Sequence, residues 1–248
     1  GGRSLSSVSS ERIAGAPRLR LIGRAGAGID NIDVPAATRR GIVVVNVPTG
    51  NTISAAEHTW ALILAMARHI PDAHASLGAG LWERERFQGT EMAGKTRGLL
   101  GFGRVGREVA RRALAFGMRV LCHDPYLTAE DAAHAGARPV TLDMLLGESD
   151  ILSLHASLTD QTRGLIGREA LAKMKRGARL VNCSRGGIVD EGALAEAVKS
   201  GRLTGAAVDV FSREPPAGSP LVGLPGVIHT PHLGASTAEA QAQVSEDL

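Results

Sequence analysis

The sequence lacks the features that mark several large classes of protein. Aromatic residues make up only 3% of its 248 residues, so the core must be built from Leu, Val, Ile and Ala. The two cysteines, Cys122 and Cys183, lie in apolar runs, which favours buried, reduced thiols in a cytoplasmic protein over a disulfide scaffold. No apolar stretch approaches the ~20 residues of a membrane span, so we expect no membrane partner. We also expect no signal peptide. No spacing of His and Cys predicts a metal site.

An excess of one charge is also missing. The chain has 28 Lys and Arg residues against 25 Asp and Glu residues, a formal net charge of +3. No run of basic residues is longer than two, and none alternates with aromatic residues. This pattern is not the footprint of a nucleic-acid-binding surface, so we expect no nucleic-acid partner.

Glycine, in contrast, is abundant. The chain has 31 glycines in 248 residues, or 12.5% (31/248), against an average of about 7% in proteins. The glycines show no collagen-like period and separate apolar runs that alternate with amphipathic segments. We predict buried strands at 19–23 and 42–47, and further strands at 97–101, 120–124, 151–155, 179–184, 206–210 and 227–230. We predict helices at 54–68, 104–116, 142–146, 168–175 and 191–200, with a loop at 78–90 and a capping box of Ser54 and Glu57. Strict alternation of strand and helix predicts an α/β fold with a parallel, doubly wound sheet.

Three glycines between a predicted strand and a predicted helix form a G-x-G-x-x-G motif. Gly101 permits a tight turn, Gly103 lets the backbone approach a pyrophosphate, and Gly106 allows close helix packing. The helix N-terminus adds N–H groups that favour phosphates. Asp124 ends the next strand, where a carboxylate binds ribose hydroxyls and repels a 2′-phosphate. The motif therefore predicts NAD as the cofactor; the alternative is a structural glycine turn with a helix-capping Asp.

Polar side chains follow three later strands of the predicted sheet, at the edge where ligands of such sheets bind. Arg185 leaves a strand beside two glycines, and its planar guanidinium suits a carboxylate. Glu214 precedes two prolines, and His232 stands between a strand and a helix start. A carboxylate near a histidine fixes its tautomer and stabilises its protonated form, as proton transfer near neutral pH requires. Taken singly, the three residues have alternatives as a surface charge, a solvated loop residue and a capping histidine.

The remaining histidines carry no such pattern. We interpret five of them as surface or packing residues: His58, His69, His74, His123 and His134.

Four segments in this order resemble the D-isomer-specific 2-hydroxyacid dehydrogenases: GFGRVG with Asp124, NCSRGGIVDE, DVFSREPP and TPHLGAST. Three more, GRAGAGIDNIDVPAATRRGI, NVPTGNTISAAEHT and LWERERFQGTE, are similar to the members that oxidise 3-phospho-D-glycerate. The resemblance implies a Rossmann-type NAD-binding domain at 48–231, a partial flavodoxin-like substrate (lid) domain at 1–47 and a return segment at 232–248. It also implies that the start of the substrate domain and a C-terminal regulatory domain are missing.

The resemblance assigns roles to matching positions. It implies that Arg185 binds the substrate carboxylate, that His232 is the acid/base and that Glu214 orients His232. The implied cofactor-binding residues are Ala27, Gly101, Gly103, Arg104, Val105, Gly106, Asp124, Ala156, Cys183, Ser184, Asp209, Gly234 and Ala235. The implied substrate-binding residues are Arg3, Arg24, Ala25 and Gly26, of which the two arginines favour a phosphorylated substrate. Arg97 stands where relatives have an apolar residue, and we expect its side chain to extend to water along the start of its strand.

The activity implied by the resemblance is NAD-dependent oxidation of 3-phospho-D-glycerate to 3-phosphohydroxypyruvate, the first step of phosphorylated serine biosynthesis. Two alternatives stay open: another D-2-hydroxyacid dehydrogenase, such as a glyoxylate or hydroxypyruvate reductase, and a non-catalytic NAD-binding protein like the related corepressors. The predicted helix at 54–68 resembles the family's dimerisation element, so we expect a homodimer or homotetramer.

Overall fold

The computed structural model describes residues 7–24, 26–47 and 49–246. The chain divides into two units: Gly1–Ser54 with Ala235–Leu248 form the first, and Ala55–Gly234 form the second. The domain limits expected from the sequence, after residues 47 and 231, stay a prediction.

Parallel strands form the centre of the second unit. The strands of the chain are β1 (Leu21–Arg24), β2 (Val43–Asn46), β3 (Thr96–Leu100), β4 (Arg119–His123), β5 (Arg138–Pro139), β6 (Ile151–Leu154), β7 (Arg179–Asn182), β8 (Gly205–Val208) and β9 (Val227–His229). The last seven form one parallel sheet in the order β5-β4-β3-β6-β7-β8-β9. The chain moves outward from β3 to β5 and then returns to the other side of β3 with β6. This reversal is the topology of a doubly wound Rossmann sheet, and it confirms the predicted fold class.

Helices cover both faces of this sheet. The described helices of the whole chain, of which α1, α2 and α10 belong to the first unit, are α1 (Ser10–Ala14), α2 (Val34–Arg39), α3 (Thr52–Ala67), α4 (Ile70–Gly78), α5 (Arg104–Ala115), α6 (Ala129–His134), α7 (Leu142–Glu148), α8 (Arg168–Lys173), α9 (Glu191–Lys199) and α10 (Ala238–Glu246), with a 3₁₀ helix at Arg84–Phe87. Successive side chains of a strand point to opposite faces, so Leu99 joins one apolar cluster with Trp60 of α3, whereas Leu100 joins another with Leu194 of α9. Within the described ranges, no helix is both long and apolar enough to cross a membrane.

The first unit contains a small two-stranded sheet in which β1 and β2 pair in parallel. Its buried core residues are Ile13, Ala36, Ala37 and Ile42. Ile22 and Val44 pack against this core, but Leu21 and Val43 are each 56% exposed. The prediction that both strands are buried is therefore wrong, because alternate residues of a strand point to opposite faces and the core lies on one of them.

The region around α3 and α4 also differs from the prediction. Because α3 begins at Thr52, Ser54 lies inside its first turn, and the Ser54 hydroxyl lies 2.7 Å from that of Thr237; the predicted capping box is wrong. A second helix, α4, follows His69, whose left-handed backbone (φ 52°) interrupts the helical pattern, and Pro71 fits its first turn. The segment 78–90 is not all loop, because α4 ends at Gly78 and the 3₁₀ helix follows.

Candidate active site

The glycine motif lies where the sheet reverses its connections, at the carboxyl ends of β3 and β6. Gly101 has a left-handed backbone (φ 90°), and a Cβ atom there would lie 2.7 Å from the amide nitrogen of Ala156. A Cβ atom on Gly106 would lie 2.5 Å from the carbonyl oxygen of Gly101, whereas nothing lies within 4 Å of a Cβ atom on Gly103. The fold itself therefore requires the first and third glycines, and the second leaves open space at the start of α5.

The N-terminus of α5 suits a pyrophosphate. The helix begins at Arg104, and among the described residues no side chain caps its first turn. The N–H groups of a first helical turn have no acceptor within the helix, and the aligned peptide dipoles add a partial positive charge there. The open space at Gly103 and the backbone donors that follow it, including those of Arg104 and Val105, therefore fit a dinucleotide.

Asp124 follows β4 and contacts the glycine loop. Its Oδ2 accepts a hydrogen bond from the amide of Phe102 at 2.8 Å, and its Oδ1 accepts one from the amide of Tyr126 at 2.9 Å. A carboxylate offers about four lone-pair sites, so two backbone hydrogen bonds leave capacity for ribose hydroxyls. Asp124 lies beside the glycine motif, as its predicted role requires, and the role itself stays a prediction.

Two glycines of the motif predict different effects for the same substitution. We expect Gly103→Ala to change the free energy of unfolding by less than about 0.5 kcal/mol but to weaken NADH binding at least about tenfold, because the methyl group takes the place of a phosphate. We expect Gly106→Ala to lower the free energy of unfolding by about 1–3 kcal/mol, because the carbonyl oxygen of Gly101 must move. Denaturant unfolding and NADH fluorescence titration measure both effects. Unchanged NADH affinity in Gly103→Ala would contradict the assignment of the open space to the cofactor, and an equal loss of stability in the two variants would contradict the open space itself.

Three further strand ends meet on the same edge of the sheet. Arg185 follows β7, Glu214 follows β8 and His232 follows β9, and these strands are neighbours in that order. The loops after β7 and β8 touch, because a Cβ atom on Gly186 would collide with the carbonyl oxygen of Phe211. The structure thus brings together the loops of the three predicted catalytic residues, and Gly186 permits their close approach.

Glu214 and His232 form a hydrogen-bonded pair. Oε2 of Glu214 lies 2.8 Å from Nδ1 of His232, and Oε1 accepts a hydrogen bond from the amide of Phe211 at 3.2 Å. Burial raises the pKa of Glu214, but the hydrogen bond and charge of His232 and the Phe211 amide outweigh burial, so the pKa lies below its ordinary value. The ionised carboxylate can only accept, which makes Nδ1 the donor and Nε2 the ring nitrogen that exchanges a proton.

Arg185 lies in a turn that its neighbours hold by hydrogen bonds. Its Nη1 donates to the carbonyl oxygen of Ser184 at 2.7 Å, and its own carbonyl oxygen accepts from Nδ2 of Asn182 at 2.9 Å. Oδ1 of Asn182 accepts from both the amide and the hydroxyl of Ser184. The buried Asn182 side chain therefore fixes the backbone that carries the partly exposed Arg185.

Asp209 follows β8 directly and binds the loop that carries His232. Its buried carboxylate accepts a hydrogen bond from Oγ1 of Thr230 at 2.6 Å. It also accepts from the amides of Leu233 at 2.7 Å and Gly234 at 2.8 Å. Asp209 and Gly234, both predicted to line the cofactor pocket, are therefore in direct contact.

Cys183 lies beside this cluster, with its carbonyl oxygen 3.9 Å from a Cβ atom placed on Gly234. Both cysteines are free, Cys122 buried and Cys183 partly buried. Burial raises the pKa of Cys183 to about 12 and that of Cys122 to about 11. Both thiols are therefore protonated near neutral pH, and the expectation of a reducing compartment stays a prediction.

Several predicted site residues belong to the first unit: Arg24, Gly26, Ala27 and Ala235. Nε of Arg24 donates to the carbonyl oxygen of Gly28 at 3.1 Å, which anchors the guanidinium to its own loop. Arg3 and Ala25 lie outside the described residues. The roles of this group stay predictions.

Comparison with known proteins identifies the family. Residues 60–234 match the family model of the D-isomer specific 2-hydroxyacid dehydrogenase, NAD binding domain. The chain belongs to this family. It is 50% identical over 250 residues to D-3-phosphoglycerate dehydrogenase of Bacillus subtilis, covering 99% of this chain and 48% of the relative. It is 53% identical over 243 residues to D-3-phosphoglycerate dehydrogenase of Archaeoglobus fulgidus, covering 98% and 46%. The chain thus spans about half the length of the curated relatives it matches.

A solved structure of an NAD-dependent dehydrogenase is also similar to this chain. The NAD-dependent formate dehydrogenase from Staphylococcus aureus in complex with NAD matches with a TM-score of 0.90 and 36% identity, over 97% of this chain and 72% of that chain. The matched NAD binding domain contains the glycine motif and Asp124. Both the resemblance drawn from the motifs and the predicted NAD cofactor are confirmed.

Two residues of the second unit differ from the prediction. His58, interpreted as a surface or packing residue, places Nε2 3.1 Å from Oδ1 of Asp209. Arg97, expected to reach water, is completely buried, with its guanidinium carbon 5.7 Å from the ring centroid of Trp60. The burial of Arg97 has a sequence signal, since a charged residue stands inside an apolar strand. His58 has no such signal, because its partner lies far away in the chain.

Proposed function

We propose that the chain carries the catalytic domain of an NAD-dependent dehydrogenase that oxidises 3-phospho-D-glycerate to 3-phosphohydroxypyruvate. The observation that carries this proposal is the hydrogen-bonded pair of Glu214 and His232 on the same sheet edge as Arg185. An acid/base pair, a guanidinium for a carboxylate and a dinucleotide site are what oxidation of a 2-hydroxy acid requires. The relatives named D-3-phosphoglycerate dehydrogenase, 50% and 53% identical, support this choice of substrate.

In this proposal, His232 removes the hydroxyl proton of the substrate through Nε2. Because Nδ1 faces the ionised Glu214, the imidazolium formed by proton uptake lies beside a negative charge that stabilises it. Arg185 binds the substrate carboxylate through two parallel N–H donors and so fixes the position of C2. NAD, when bound, supplies the hydride acceptor.

The substrate phosphate is assigned to basic residues of the first unit. Arg24 and Arg3 are the residues that we propose for this role, with the backbone of Ala25 and Gly26 as further substrate contacts. The anchoring of Arg24 to the carbonyl oxygen of Gly28 supports the proposal, because it holds the guanidinium in one orientation.

The test is NADH formation by the full-length protein with 3-phospho-D-glycerate at alkaline pH. We expect turnover in the wild type and at least a tenfold lower kcat/KM in Arg185→Ala, because a hydrogen bond to a charged group contributes about 1.5–3 kcal/mol. Arg168→Ala, which removes an exposed arginine at the start of α8, is the matched control. Turnover that Arg185→Ala leaves unchanged would refute the assignment of the substrate carboxylate.

The reverse assay, which measures NADH consumption, separates the two alternatives. Faster reduction of glyoxylate or hydroxypyruvate than of phosphohydroxypyruvate would favour the reductase. NADH binding without turnover of any of these acids would favour the corepressor-like protein.

We also propose that the protein is a cytoplasmic homodimer or homotetramer. Apolar side chains are exposed on α4 and the segment after it, and Trp82 among them is 77% exposed. Burial of such a surface favours association. A monomer in sedimentation velocity at micromolar concentration would contradict the oligomer. The two free thiols support a reducing compartment.

A further inference from the structure

His58, on α3, joins the hydrogen-bond network under the proposed catalytic loop. Its Nε2 lies 3.1 Å from Oδ1 of Asp209 and 3.2 Å from Oγ1 of Thr230. The hydroxyl of Thr230 donates to the same Oδ1 at 2.6 Å, so its oxygen can accept from His58. The three side chains, from α3 and from the ends of β8 and β9, therefore contact one another pairwise.

The partner of His58 is a carboxylate with no access to water. The side chain of Asp209 is 0% exposed and that of His58 is 18% exposed. Burial raises the pKa of Asp209, but the hydrogen bonds from His58, Thr230 and the Leu233 amide outweigh burial and lower it. A buried charge is tolerated only when hydrogen bonds satisfy it, so His58 helps to keep this carboxylate ionised and in place.

The carboxylate of Asp209 holds the loop on both sides of His232. Thr230 precedes His232 and binds Asp209 by its hydroxyl, whereas Leu233 and Gly234 follow and bind it by their amides. His232 itself has a left-handed backbone (φ 56°). A residue with a Cβ atom adopts this conformation at a cost and keeps it only where its surroundings impose it.

We propose that His58 is a positioning residue for His232. Through Asp209 and Thr230 it holds the backbone of residues 230–234 in the conformation that places the imidazole of His232 against Glu214. The hydrogen bonds of His58 to Asp209 and Thr230 act on His232 through the loop. The kinetic part of this inference rests on the proposed function, and the structural part does not.

The test compares His58→Leu with His58→Gln in the full-length protein. Leu removes the donor, whereas the amide nitrogen of Gln reaches the position of Nε2. We expect the hydrogen-exchange protection of the Leu233 and Gly234 amides to fall at least tenfold in His58→Leu. We expect kcat to fall about 10- to 100-fold, since a displacement of about 1 Å costs about 10²-fold, with KM within threefold. His58→Gln should restore both quantities to within threefold of wild type.

His134→Leu, at an exposed position of α6, is the matched control and should change neither quantity. Unchanged protection of the two amides in His58→Leu would overturn the inference, and so would an equal loss of protection throughout the sheet. If His58→Leu does not fold, His58→Asn replaces it, because its amide is too short to reach Asp209. A wild type without turnover would refute the proposed function, while the exchange measurement would still decide the role of His58.

Discussion

His232→Asn is expected to lower kcat about 10²–10⁴-fold, the contribution of a positioned general acid or base. Asn has no group that takes up a proton near neutral pH, so the hydroxyl proton of the substrate would have to pass to water. The glycine motif and the start of α5 lie elsewhere on the sheet edge, at β3. We therefore expect NADH affinity within about threefold of the wild type, measured by fluorescence titration beside the steady-state kinetics.

Glu214→Gln provides the internal comparison for this prediction. Gln keeps the shape of the side chain but removes the charge that faces the imidazolium. We expect a loss in kcat of about tenfold, at the lower end for a hydrogen bond to a charged group, because the His232 side chain is 49% exposed and water screens the pair.

The double variant tests whether the two residues act as one unit. If Glu214 acts only through His232, the variant with both substitutions should be no slower than His232→Asn alone. A further tenfold loss in the double variant would show that Glu214 has a role of its own. Activity of His232→Asn within tenfold of the wild type would refute the proton-transfer role.

Apart from β5 (Arg138–Pro139), which was not predicted, the strands of the parallel sheet could be predicted closely because each carries its own signal. The strand predicted at 97–101 is observed at Thr96–Leu100, and that predicted at 151–155 at Ile151–Leu154. Strands buried on both faces are continuous apolar runs, and glycines mark their ends. Helix α4 was not predicted; it begins directly after the left-handed His69, just beyond the end of the helix predicted at 54–68.

In the candidate site, too, features formed by sequence neighbours could be predicted, and contacts between distant residues could not. Gly101, Gly103 and Gly106 are neighbours in sequence, so their spacing alone predicts a dinucleotide turn. The contact between His58 and Asp209 joins residues of different elements that are far apart in the chain, and no local pattern encodes such a contact. The neighbouring strand ends made the pairing of Glu214 and His232 a reasonable expectation, but their distance had to come from the structure.

Arg97→Met is expected to raise the free energy of unfolding by about 1–4 kcal/mol, the range found when apolar residues of similar volume replace buried ion pairs. Arg97 is 0% exposed. Its Nη1 lies 3.5 Å from the carbonyl oxygen of Ile151, a long distance for a hydrogen bond. Its Nε and Nη2 are buried and have no hydrogen-bond partner among the described residues. Burial accordingly lowers the pKa of Arg97 to about 9.

Whether Arg97→Met stabilises the protein depends on how much of the cost of burying the guanidinium its contacts offset. Its position over the Trp60 ring contributes about 0.5–2 kcal/mol. Removal of a cation from water costs several kcal/mol, so the contact with Trp60 offsets only part of the cost. Met is unbranched and adapts to the space of the arginine stem, which limits the cavity that the substitution leaves.

Thermal unfolding measures the result, with a rise in Tm of about 2–4 °C per kcal/mol for a chain of this size. Arg176→Met removes an exposed arginine and is expected to stay within about 0.5 kcal/mol. The positive charge of Arg97 can be tested separately through the pKa of His155. Burial and the positive charge of Arg97 lower the pKa of His155 to about 3, so Arg97→Met should raise that pKa in an NMR titration. If Arg97→Met lowers Tm and leaves the pKa of His155 unchanged, then Arg97 is not an uncompensated buried cation.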